Sequence, residues 1–169
     1  MLKKTLGTFG AKLIGAILNF FIIILLSQFL GPEGKGEASL ILTSIAMVLI
    51  FGNLVAGAPL VYLTPRKSIT QLIQISYFWI VIIVILCYFL LFNFNLGIEP
   101  SWAKHIALLS LIEGITAINL AILIGKEKIK WNNLTSIIKS LCLFGFLVYG
   151  FWIAQNNELS TYINGLYLS

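Results

Sequence analysis

Leu13–Leu30 contains no charged residue. As an α-helix rising 1.5 Å per residue it is ~27 Å long, close to the ~30 Å hydrocarbon thickness of a bilayer. Gly31-Pro32-Glu33-Gly34-Lys35-Gly36-Glu37 interrupts it with helix breakers and alternating charges, and a second uncharged run, Ala38–Leu63, follows. Glycine and proline punctuate helices and charge prefers water, so the pattern predicts a transmembrane hairpin with an aqueous joint over residues 31–37. Every later segment repeats the pattern.

Before the first run stand Lys3, Lys4 and Lys12, an arrangement like that of a signal peptide. The apolar run is too long for one and ends in Gln28-Phe29-Leu30 without a small-x-small cleavage site, so an uncleaved first span is expected. Gly7, Ala11, Gly15 and Asn19 recur every fourth residue, a strip that suits close helix packing, with substrate contact the alternative for Asn19. The second helix holds Gly52, Asn53, Gly57 and Pro59. Pro59 lacks a backbone donor and clashes one turn back, near Val55, and with Gly57 beside it a kink or hinge is expected at Gly57 and Pro59; bent membrane helices often carry transporter sites.

Ile69, Leu72 and Ile73 predict a short helix along the interface, followed by a third span over Tyr77–Phe92 with a large lipid-facing surface. Asn93–Trp102 reads as a second aqueous loop. The fourth span, Ala103–Ile124, has a small face of Ser110, Gly114, Ala117 and Ala121, with Glu113 beside it near mid-span. A basic loop follows from Lys126, then a fifth span over Ser136–Ala154. Ser160 is the expected cap of a sixth helix, Thr161–Ser169. The fold class is all-α: one polytopic transmembrane domain over residues 1–169, with five full spans and the start of a sixth.

Composition agrees: 59% of residues are hydrophobic, 10% are charged and the mean hydropathy is +1.00. Soluble domains carry about 25% charged residues. The net charge of +5 does not point to nucleic acid, because the basic residues sit at the ends of apolar runs. In a five-span arrangement nine of them fall on one side, with only Lys35 and Lys104 on the other, which predicts a cytoplasmic N-terminus. Trp79, Trp102, Trp131 and Trp152 are all expected near span ends. Cys87 and Cys142 lie in apolar runs without metal-ligand spacing and read as small buried packing residues. Aspartate is absent and no nucleophile–base pair occurs at helical spacing, so neither an enzyme nor a metal or cofactor site is expected.

Phe29-Leu30-Gly31-Pro32-Glu33-Gly34-Lys35-Gly36, with the uncharged helix after it, resembles the first loop of the polysaccharide flippases of the multidrug and oligosaccharidyl-lipid exporter superfamily. Gly52-Asn53-Leu54-Val55-Ala56-Gly57 and the basic loop after it extend the resemblance. It implies a dozen or more helices in two lobes around a central cavity, in a bacterial plasma membrane. The implied activity is export of undecaprenyl-pyrophosphate-linked oligosaccharide, with a polysaccharide polymerase and glycosyltransferases as further partners beside the bilayer. The family is longer than this chain, so residues 1–169 are expected to be an N-terminal lobe that does not transport alone. On this reading Glu113, Asn19 and Asn53 are candidates for substrate contact or coupling. Lys12 and Lys139 can attract the pyrophosphate at the inner mouth, or simply anchor their helices by snorkelling. A drug or cation exporter of the same superfamily, and an accessory membrane protein without transport, remain alternatives.

Overall fold

The computed structural model describes residues 2–93, 100–156 and 158–169. The chain is an all-α polytopic bundle; among the described residues there is no strand. In chain order the helices are α1 (Leu2–Phe29), α2 (Gly31–Ala56), α3 (Ala58–Leu63), α4 (Ile69–Asn93), α5 (Pro100–Gly125), α6 (Ile129–Val148) and α7 (Leu159–Leu168). A π-helical turn, Tyr149–Ile153, extends α6. Among the described residues five segments are long and apolar enough to cross a membrane: Gly7–Phe29, Gly31–Leu63, Ile69–Leu91, Ser101–Gly125 and Ile129–Ile153. The protein is therefore a multi-pass membrane protein.

Several boundaries differ from the pattern in the sequence, each for a physical reason. The joint at 31–37 is not a loop. The chain turns from one helix into the next at Leu30 and Gly31, with Gly31 at φ +67, a left-handed conformation that glycine adopts without steric cost. Helix α2 starts there, since its first turn has no use for the missing Pro32 N–H and favours the Glu33 carboxylate. Lys35 Nζ reaches back to Ser27 Oγ at 3.4 Å.

No separate interfacial helix precedes the third span. Ile69–Asn93 is one continuous helix, because nothing between Ile69 and Tyr77 breaks it. Trp79 consequently lies in mid-helix, and its Nε1 donates to the Phe51 carbonyl at 3.1 Å instead of sitting at an interface. The basic loop shrinks to Lys126–Lys128, with Lys130 and Lys139 on α6. Helix α7 starts at Leu159 with Glu158 as its N-cap; Ser160 does not cap it but donates to Glu158 Oε2 at 3.1 Å. Of the second expected loop, residues 94–99 lie outside the described residues, and Pro100–Trp102 open α5. Cys142 is exposed and Cys87 is half-buried, so neither is a fully buried packing residue.

The chain divides into two compact units, residues 1–39 with 129–169, and residues 40–128. In the first, α1 packs along α6. Thr8 Oγ1 accepts from Asn133 Nδ2 at 3.2 Å, the Phe21 and Phe144 rings lie 6.3 Å apart, and Phe29 stacks on Phe151 at 5.2 Å. Residue numbers rise together along these pairs, so the two helices run parallel. Helix α7 folds back against α6: a Cβ on Gly150 would meet Thr161 Cγ2 at 2.5 Å, and one on Gly165 would meet Leu143 and Phe146 at 3.0 Å.

In the second unit, α2, α4 and α5 converge on Ile80, which is 1% exposed. A Cβ added at Gly52 of α2 would lie 2.5 Å from Ile80 Cδ1, and one at Gly114 of α5 would lie 2.7 Å from the same atom. The two glycines make the recess that this isoleucine fills. Val48, Leu60, Val84, Ile118 and Ile122 complete the core around it. Helix α4 runs antiparallel to α5, and Tyr77 Oη donates to Asn119 Oδ1 between them at 3.0 Å.

Candidate functional site

The residues expected to contact substrate or couple transport fall in both units. In the first, Lys12 and Asn19 are exposed on α1. They are separated by seven residues, two helical turns, and so share one face. Gly7 and Gly15 do not pack against a neighbouring helix as the strip suggested. No heavy atom outside the local helix lies within 4 Å of a Cβ built on Gly7 or Gly15, and Gly10 is equally open. Lys139, half-buried on α6, falls between the levels of the Thr8–Asn133 and Phe21–Phe144 pairs. It thus stands at the level of the Lys12–Asn19 stretch. Two ammonium groups and an amide are gathered along one parallel helix pair.

In the second unit Asn53 is exposed one turn before the end of α2. Its carbonyl accepts the Gly57 N–H at 2.9 Å, the last bond of that helix. The chain then bends at Gly57, and α3 begins at Ala58 with Pro59 in its first turn. The break falls at Gly57, two residues before Pro59, which is accommodated where a helix start leaves its N–H unneeded. Any larger residue at Gly57 would bring a Cβ to 2.7 Å from the Asn53 carbonyl oxygen. Glu113 is half-buried midway along α5, immediately before Gly114.

An apolar groove of about 640 Å³ runs between α2 and α4, lined mainly by Met47, Phe51, Ile83, Leu86, Cys87 and Leu90. Its hydroxyls are those of Thr43 and Ser44, and Ser44 Oγ already donates to the Leu40 carbonyl at 2.8 Å. Such a wall holds hydrocarbon and offers little to a sugar. Nothing in the pattern of residues marks Asn133 as an interhelical bridge. Its only sequence signal, the Asn133-Leu134-Thr135 sequon, concerns a different chemistry.

No family model, no curated protein and no solved structure matches the chain.

Proposed function

We propose that this is a membrane transporter of the polysaccharide-exporter type, moving undecaprenyl-pyrophosphate-linked oligosaccharide units across a bacterial plasma membrane. The observation that carries the transport reading is the α1 face. It is uncrowded at Gly7 and Gly15, and it displays Lys12 and Asn19 within an apolar helix. Polar groups at membrane depth are costly against lipid and are accommodated where they face a wet cavity. The Lys12 ammonium can give a pyrophosphate charge-assisted hydrogen bonds, and Lys139 lies at the same level on α6. The substrate class rests on the resemblance of Phe29–Gly36 to the flippase first loop. Gly57 supplies the break about which α3 would swing relative to α2.

Cells lacking the gene should accumulate the lipid-linked oligosaccharide on the inner face of the membrane. Unchanged lipid-linked sugar with altered drug tolerance would instead favour a drug exporter. Glu113 is assigned to proton coupling or headgroup contact. Glu113→Gln keeps size and hydrogen bonding but removes the ionisable group, so it should impair transport or change its response to pH. Normal transport across pH by that variant, with Glu113→Ala merely lowering protein level, would make the residue structural.

A further inference from the structure

The second unit carries a built cationic surface at one end. Helix α3 packs on α5 so closely that a Cβ on Gly125 would lie 2.6 Å from Thr64 Cβ and 2.9 Å from the Val61 carbonyl oxygen. That contact holds the turn after α3 beside the turn after α5. Arg66 and Lys67 stand two and three residues beyond Thr64; Lys126 and Lys128 stand one and three beyond Gly125. All four are exposed.

Both turns are held by backbone hydrogen bonds. The Arg66 and Lys67 N–H groups donate to the Leu63 carbonyl at 2.9 and 3.0 Å. The Lys128 N–H donates to the Leu123 carbonyl and the Glu127 N–H to that of Ile124, each at 2.8 Å. With Glu127 left-handed at φ 57, these bonds form a Schellman closure of α5. The Arg66 guanidinium lies over the Tyr62 ring, 3.8 Å from its centre. Stacking spends one face of the guanidinium and leaves its edge donors, which match phosphate oxygens two at a time. Lys67, Lys126 and Lys128 form no ion pair with another described residue. The nearby carboxylate is Glu127, so the surface keeps a net charge of three.

We propose that this end of the second unit binds the phosphate headgroup of an anionic phospholipid. Charge complementarity selects the partner. Both turns end segments that are long and apolar enough to cross a membrane, Gly31–Leu63 and Ser101–Gly125, so these cations lie at the bilayer boundary, where clustered Lys and Arg recruit anionic headgroups. The inference is independent of the transport reading, since an accessory protein with the same turns would hold the same lipid.

The test is native mass spectrometry of the full chain in detergent with equimolar phosphatidylglycerol and phosphatidylcholine. The wild type should retain phosphatidylglycerol preferentially. Combining Arg66→Gln, Lys67→Gln, Lys126→Gln and Lys128→Gln should lower that preference at least about fivefold, the effect of one juxtamembrane cation or more. Arg66→Lys alone should keep the charge and lose part of the preference with the guanidinium edge. Lys35→Gln with Lys104→Gln, removing two cations elsewhere, should change it less than twofold. Helical circular dichroism identical to wild type establishes that the fourfold variant is folded; if it is not, each single variant is measured, and two or more must lower the preference. A preference unchanged in the folded variants, or lowered equally by the Lys35/Lys104 pair, overturns the proposal. Displacement of the bound lipid by millimolar soluble glycerol phosphate would also overturn it, since the site would then take a free phosphate.

Discussion

Two strips of small residues look alike in this chain and behave differently. On α1, Gly7, Ala11 and Gly15 lead to Asn19; on α5, Ser110, Gly114, Ala117 and Ala121 follow a similar spacing. Gly114 is filled by Ile80, whereas Gly7 and Gly15 meet nothing within 4 Å. Small residues permit close approach, but approach also needs a side chain shaped to enter. On α5 the knob is Ile80, shared with Gly52; on α1 no neighbour supplies one. Within lipid there is no hydrophobic force to close such a gap, so packing alone decides which strip is buried. The open strip is also the one flanked by an ammonium and an amide.

The largest effect should come from filling both strips with the same side chain. Gly114→Leu puts a branched side chain where Ile80 already sits and should destabilise by about 3 kcal/mol, while Gly15→Leu should cost under about 0.5 kcal/mol. Reversible unfolding in bicelles measures both; equal costs would erase the distinction. Removing the knob is the milder form of the experiment. Ile80→Ala should lose about 2 kcal/mol, towards the low end for a buried isoleucine, because lipid solvates the separated helices as well as it solvates the core. The exposed Ile17→Ala on α1 should lose far less.

Smaller effects are expected where a backbone atom sets the limit. Gly57→Ala brings its Cβ against the Asn53 carbonyl and should cost about 1–2 kcal/mol, read by the same unfolding assay. At the end of α5, Glu127 occupies a left-handed position that glycine takes without strain. Glu127→Gly should therefore stabilise by about 0.5 kcal/mol. A loss there would mean that the carboxylate contributes more than its backbone strain costs.

How much of this was legible in the sequence follows the same division. The five apolar runs announced themselves because length and lack of charge are one-dimensional properties. The start of α2 was misread because a breaker there is harmless: Pro32 stands in the first turn, as Pro59 does in α3, where a missing N–H costs nothing. Starting α4 at Ile69 moved Trp79 from an interface to mid-helix, so one boundary error displaced a side chain's assigned role. The openness of the α1 strip could not be read at all. Spacing shows which residues share a face, but the partner across that face lies far away in the chain, as Asn133 does from Thr8.

The α1 face can serve as the transport path only if it meets water. Single cysteines at Lys12, Gly15, Asn19, Leu13 and Ile17, in a chain carrying Cys87→Ser and Cys142→Ser, can be treated in native membranes with a small charged thiol reagent. Lys12→Cys, Gly15→Cys and Asn19→Cys should react at least about tenfold faster than Leu13→Cys and Ile17→Cys, the rate following the helical period. Uniform protection of all five, or fastest reaction at Leu13 and Ile17, would show that the strip faces lipid or protein and would contradict the proposed transport path.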